Sequence, residues 1–133
     1  MGARLAAYLS YRDAPAALEW MTAIGFTVVR RSDAGDGTVA HAEVRCDDVV
    51  LMVASDDADY VHPPLVGRST GSGLYLVLDD PADVDDRFAR GVAAGGTPVF
   101  APEDTEWGTR RARLLDPGGQ EWSLGTYAPG VAW

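Results

Sequence analysis

His41 and Glu43 stand two residues apart in TVAHAEVRC (38–46), a stretch with the composition of a strand. Successive side chains of a strand point to opposite faces, so an imidazole and a carboxylate at this spacing share one face. Such a pair can orient a base for proton transfer, or it can be an ordinary charged pair on a strand. Arg111 and Arg113 recur at the same spacing in RRARLLD (110–116), with Ser123 in the following EWSLGTY (121–127). Tyr8, Tyr75, Phe100 and Trp107 lie in or beside such segments. Aromatic faces with a few charged groups suit a planar or amphipathic organic ligand. Metalloprotease and phosphate-binding signatures are missing, since the chain carries no HExxH and no phosphate-cradling glycine loop.

The single cysteine, Cys46, excludes an internal disulfide and any CxxC motif, and reads as a small strand residue. A formal charge of −9 argues against nucleic acid, which needs a positive footprint. It could steer a cationic ligand, although the aspartates (Asp56, Asp57, Asp59, Asp79, Asp80, Asp83, Asp85, Asp86) fall mainly in loops and helix starts, where they keep a surface hydrated. There is no apolar run long enough to span a membrane, and Arg12-Asp13 comes too early for a secretory signal. The expectation is a cytoplasmic protein without nucleic-acid or membrane partners. Its 133 residues, 47% hydrophobic, are enough for one domain with a core.

The elements that would position these residues occur twice. Residues 4–11 read as a strand, Asp13 caps a helix with Pro15 in its first turn, and Gly25 stops it after Ala23. FTVVRR (26–31) is a strand, and TVAHAEVRC (38–46) and VVLMVA (49–54) form a hairpin around Asp47-Asp48. The second copy has a strand at LYLVL (74–78) and a helix from Asp80-Pro81 to Gly95-Gly96, its apolar side made by Phe88, Val92 and the alanines. A short strand, TPVF (97–100), and a hairpin around Pro117-Gly118-Gly119 complete it. The reading is α+β: two β-α-β-β-β modules, about 4–54 and about 73–127, joined by a connector or lid at 55–72. Together they would make a single domain, 1–133, with a curved mixed sheet, a concave cavity and helices outside.

Four segments, YLSYRDAPAALEWMTAIGF (8–26), HAEVRCDDVVLMVASD (41–56), LYLVLDDPADVDDRFARGVAAGG (74–96) and EWGTRRARLLDPGGQEWSLGTY (106–127), cover nearly the whole chain. In order and spacing they resemble the vicinal oxygen chelate superfamily, and most of all its glyoxalase/bleomycin-resistance subgroup. The resemblance implies a metal site built from the first and last strands of each module. Aligning Asp13 and Asp79-Asp80 after the opening strands, and the DPGG turn before the last, puts the ligand positions on Ala6, Met52, Gly73 and Ser123. None of these is a good ligand for a divalent ion, and neither His41 nor His62 falls at such a position. The expectation is therefore no metal and no cofactor.

Strand registers give the cavity wall independently. With Met52 pointing inward, a two-residue turn at Asp47-Asp48 sets Glu43 opposite it, with His41 and Arg45 on the same side. Ala40, Ala42, Val44, Leu51 and Val53 then face the helices. A three-residue turn at Pro117-Gly118-Gly119 sets Arg113 opposite Ser123, with Arg111 and Glu121 on the inner face and Ala112, Leu114, Trp122 and Leu124 behind. A four-residue turn would bury Arg113 unpaired under a helix, at several kcal/mol. The expected wall is Tyr8, Ser10, His41, Glu43, Met52, Tyr75, Arg111, Arg113 and Ser123, with Phe100 and Trp107 at its rim. Trp20 and Trp122 read as core, Trp107 as a stacking residue, and Trp133 is left unplaced.

Two functions remain. The first is a non-metal binding protein that sequesters an aromatic or cationic antibiotic or natural product; the resemblance adds a homodimer with pockets shared between subunits. The alternative is a glyoxalase-like lyase, isomerase or dioxygenase-type enzyme, metal-free or using unusual ligands such as His41 and Glu43.

Overall fold

The computed structural model describes residues 2–130, and they divide into two compact units, Met1–Val61 and His62–Trp133. The first unit contains β1 (Ala7–Tyr11), α1 (Ala14–Ala23), β2 (Thr27–Asp33), β3 (Val39–Cys46) and β4 (Val49–Ser55). The second contains β5 (Gly73–Val77), α2 (Pro81–Ala93), β6 (Thr97–Asp104), β7 (Arg110–Leu115) and β8 (Glu121–Gly125). Each unit builds its own four-stranded mixed sheet, in the orders β1-β4-β3-β2 and β5-β8-β7-β6. In each, the first strand runs parallel to the last and the other pairings are antiparallel. The fold is α+β, as the doubled sequence pattern implies. Among the described residues no helix is long and apolar enough to cross a membrane.

The helices start and stop where local chemistry dictates. The Asp13 carboxylate accepts from the Ala16 N–H at 3.1 Å, and Asp80 accepts from the Ala82 N–H at 2.9 Å, each supplying an orphan donor with its acceptor. Each helix ends in a cap residue, Ile24 or Ala94, followed directly by a glycine with positive φ, Gly25 at 114° and Gly95 at 109°. Ala14, Ala17, Leu18, Trp20 and Met21 bury one side of α1. On α2 the buried residues are Val84 and Gly91, with Phe88 half-buried between them. That stripe follows helical spacing, and it leaves Ala82, Ala89 and Ala93 exposed on the far side, against the expectation that the alanines pack inward.

The hairpin registers are those the turns require. Cys46 pairs with Val49 across Asp47-Asp48, Asp47 taking φ 50°, and Glu43 pairs with Met52. In the second unit Arg113 pairs with Ser123, and the Asp116 N–H donates to the Gln120 carbonyl at 2.9 Å. The buried Asp116 carboxylate accepts from the N–H groups of Gly118 and Gln120, each at 3.0 Å, and from Trp122 Nε1 at 3.1 Å. Turn and core are thereby locked by one side chain.

Ala42, Val44, Leu51 and Val53 are buried as expected, but Ala40 is exposed and Val39 is buried in its place. A bulge explains it: Ser32 pairs with His41 and Asp33 with Val39, so Ala40 is the extra residue and the alternation inverts there. β6 runs on to Asp104, beyond the expected 97–100, because it is an edge strand that tolerates Pro98 and Pro102 and absorbs irregularities between Pro98 and Glu103. Leu114 is fully buried between β7's neighbours and α2. Replacing it by Ala should lower the unfolding free energy by about 2–5 kcal/mol, read from the urea midpoint at constant slope.

Candidate ligand-binding site

The side of the second sheet away from α2 carries Tyr75, Ser123, Arg113 and Phe100 in one row across β5, β8, β7 and β6. They floor an open pocket of about 690 Å³. One wall comes from the segment before β5 (Ser69, Gly71) and the first residue of β5, Gly73, the other from the β6–β7 turn with Thr105, Trp107 and Thr109. Trp107 is exposed, and Tyr127 closes one end. The Tyr75 hydroxyl donates to the Tyr127 carbonyl at 2.7 Å, and burial pushes its phenol up. This packing requires glycine at 125, where a Cβ would collide with the Tyr75 ring.

Charge in this pocket is organised around Phe100 and Glu121. The guanidinium of Arg68 stacks 4.0 Å from the Phe100 ring centre, with those of Arg113 and Arg111 at 5.2 and 5.4 Å. Arg68 and Arg111 share one oxygen of Glu103, at 2.9 and 3.0 Å. Those bonds, to Arg68 first and then Arg111, hold the Glu103 carboxyl below its usual range. Arg110 is fully engaged elsewhere, by both oxygens of Asp85 on α2 and by Asp104.

Arg113 donates from Nε to the Ser123 hydroxyl at 2.8 Å and from a terminal nitrogen to the Arg68 carbonyl at 2.6 Å, and its Nε lies 3.4 Å from Glu121. Glu121 is only 4% exposed. Its carboxylate accepts from the Ser69 hydroxyl and from the N–H and hydroxyl of Thr70. Burial alone would push Glu121 up; the Thr70 and Ser69 bonds and the Arg113 charge outweigh it and leave the carboxyl below its ordinary range.

In the first unit the equivalent row is Tyr8, Met52, Glu43 and Arg30. His41 stands beside it, its Nε2 2.7 Å from Glu43 Oε2, and this bond holds the Glu43 carboxyl low. Tyr8 is largely exposed, while Ser10, His41, Glu43 and Met52 are half-buried.

The positions aligned with the superfamily's metal ligands do not fit a divalent ion. Ala6 and Gly73 offer no donor, and the Met52 thioether is a poor one for hard or borderline ions. Ser123 Oγ already holds the Arg113 guanidinium, which puts a fixed positive charge beside that position. The space a Gly73 side chain would take belongs to Glu121, whose Oε2 lies 2.7 Å from where a Cβ would stand. Among the described residues no three His, Cys, Asp or Glu side chains are grouped to hold a metal.

Of the residues expected at the site, Tyr75, Phe100, Trp107, Arg111, Arg113 and Ser123 come together around the second unit's pocket, and Tyr8, His41, Glu43 and Met52 share a face of the first sheet. Trp20 and Trp122 are core, and Trp133 lies outside the described residues. Sequence reasoning missed Arg68, Glu103 and Tyr127. Arg68 sits in the irregular segment read as a connector, and Glu103 lies in the part of β6 that Pro102 disguises as loop.

A paired-module fold with its open sheet faces lined in this way defines a class. The family model for the glyoxalase/bleomycin resistance protein/dioxygenase superfamily matches residues 4–124, and the chain belongs to that superfamily. It is 32% identical over 124 residues to an uncharacterised protein of Mycobacterium bovis, covering 91% of this chain and 81% of that protein. An uncharacterised protein of Mycobacterium tuberculosis matches at the same identity, over 72% of its length. Among solved structures, TioX from Micromonospora sp. ML1 superposes with a TM-score of 0.72 at 25% identity, covering 96% of this chain and 100% of that one. A glyoxalase/bleomycin resistance protein/dioxygenase family enzyme from Burkholderia phytofirmans PsJN shares the fold, with a TM-score of 0.69 at 16% identity over 90% and 94% of the two chains.

Because the folded Glu121 carboxyl is held below its unfolded value of about 4.3, its stabilisation is complete above that pH and is lost as pH falls through the folded value. Glu121→Gln should cost about 2 kcal/mol at neutral pH. The gap from the parent protein should stay constant down to about pH 5 and close on further acidification, as followed by urea unfolding across pH.

Proposed function

We propose that this protein binds a planar small organic molecule without a metal, in the pocket on the second sheet, and sequesters an aromatic antibiotic or natural product. The observation that carries this reading is the pocket itself: about 690 Å³, walled by Tyr75, Phe100, Trp107 and Tyr127. That volume lies in the range of sites for drug-sized molecules, and flat aromatic side chains favour flat ligands. The Arg113–Ser123–Glu121 arrangement, where a metal-dependent relative would keep donors, supports binding over metal chemistry. The acidic net charge suggested a cationic ligand as well, but arginines line this pocket and weigh against one.

The short His41–Glu43 bond favours a second reading, proton transfer at the face of the first module, with Glu43 orienting His41 as a base. Loss of a measured turnover in His41→Gln, with ligand binding intact, would move the assignment to an enzyme.

We take the two modules as one domain acting as a homodimer in the cytoplasm. Leu5, Tyr8, Tyr60 and Val61 support an assembly, being large apolar side chains left exposed on the first unit. Light scattering should give twice the chain mass of 14.1 kDa; a monomer at micromolar concentration overturns this.

Protein stripped with a chelator should bind a planar polycycle such as an anthraquinone dye as well as untreated protein does, measured by calorimetry. Trp107→Ala should weaken binding about tenfold, as expected for losing an aromatic contact of ~1.4 kcal/mol. Stoichiometric transition metal in protein purified without chelator, or binding that requires added metal, sinks the reading.

A further inference from the structure

The charge balance of the pocket goes further, resting on the reading of it as a site for a planar ligand. We propose that the ligand is an aromatic acid, whose carboxylate is received by Arg111 and Arg113 while its ring lies among Phe100, Trp107 and Tyr75.

Three guanidiniums, those of Arg68, Arg111 and Arg113, lie within 5.4 Å of one ring centre. Among the described residues their only ion-pair partners are Glu103 and Glu121, which leaves one positive charge in excess within this cluster. The two acids are also poorly placed to neutralise what a ligand meets. Glu103 bonds through a single oxygen to Arg68 and Arg111 and is not among the residues lining the pocket. Glu121 lines it but is buried, its oxygens already receiving Ser69 and Thr70. Arg110 pairs with two aspartates, Asp85 and Asp104, whose surplus negative charge would offset the excess on paper, but both are exposed to solvent and neither lines the pocket.

Among the described residues Arg111 therefore faces the pocket with only its Nε committed, and its terminal nitrogens are oriented by a salt bridge that fixes the plane of the group. A planar fork of N–H donors matches a carboxylate, and a carboxylate on an aromatic ring would relieve the repulsion among three clustered cations. An amine at the same place would add to it.

The test is calorimetric titration with a matched set: 2-naphthoate, 2-naphthamide and 2-naphthylmethylamine. Naphthoate should bind about tenfold or more tighter than the amide, with the amine weakest. In Arg111→Gln, checked for native circular dichroism, the acid–amide gap should shrink to about threefold or less, and Arg111→Lys should restore part of it. Added salt should weaken the acid and leave the amide unchanged. If the amide or amine binds as tightly as the acid, the pocket stands and the acid assignment falls. A gap that survives Arg111→Gln unchanged removes the assignment to that arginine. If none of the set binds, the planar-ligand reading itself fails, and this inference with it.

Discussion

The buried carboxylate of Glu121 is the constraint on which the rest of the second unit depends. It sits at the start of β8, beside the backbone of Gly73 at the start of β5, where only a residue without a side chain leaves room for it. An isolated carboxylate there would be expelled or protonated. It stays charged because Ser69 and Thr70 reach it from the segment before β5 and Arg113 reaches it from β7. The same bonds therefore do three things at once: they hold the irregular segment against the sheet, fix Arg113 over Ser123, and shape one wall of the pocket.

The two modules make the consequence visible, because they share a scaffold and differ in what it displays. Tyr8, Met52, Glu43 and Arg30 cross the first sheet in the positions that Tyr75, Ser123, Arg113 and Phe100 occupy in the second. Even the edge irregularity is repeated, one residue before Arg30 on β2 and one before Phe100 on β6. Only the tyrosine is common to both rows. The carboxylate at Glu43 becomes a guanidinium at Arg113, so one sheet presents an acid held by a histidine and the other a base held by a buried acid.

How much of this was legible in the sequence follows from which forces are local. Caps, stops and hairpin turns are written in a few adjacent residues, so Asp13, Gly25, Asp80 and the DPGG turn located the elements, and alternation from those turns put Glu43 opposite Met52 and Arg113 opposite Ser123. Alternation fails where the strand is irregular. The bulge at Ala40 inverted the faces beyond it, and Pro102 concealed the end of β6 and with it Glu103. Arg68 was out of reach for a different reason. Its place over Phe100 is set by hydrogen bonds thirty-odd and fifty-odd residues away in sequence, to Glu103 and, through its neighbours, to Glu121.

A metal site and this pocket solve related electrostatic problems with opposite means. A divalent ion concentrates charge at a point and needs donors converging on it from several strands. Here positive charge is spread over planar guanidiniums that stack on an aromatic ring and are steered by two carboxylates. Such a surface keeps its hydrogen-bonding directions in the absence of any ion, and it can meet both the face of a ring and an oxygen at its edge. Ser123 marks the exchange: at the position the superfamily gives to a metal ligand, its hydroxyl accepts from Arg113. Restoring a carboxylate or imidazole at that one position would leave Ala6, Met52 and Gly73 still without donors and would set the new side chain against a buried ion pair, so the metal-binding state is not one substitution away.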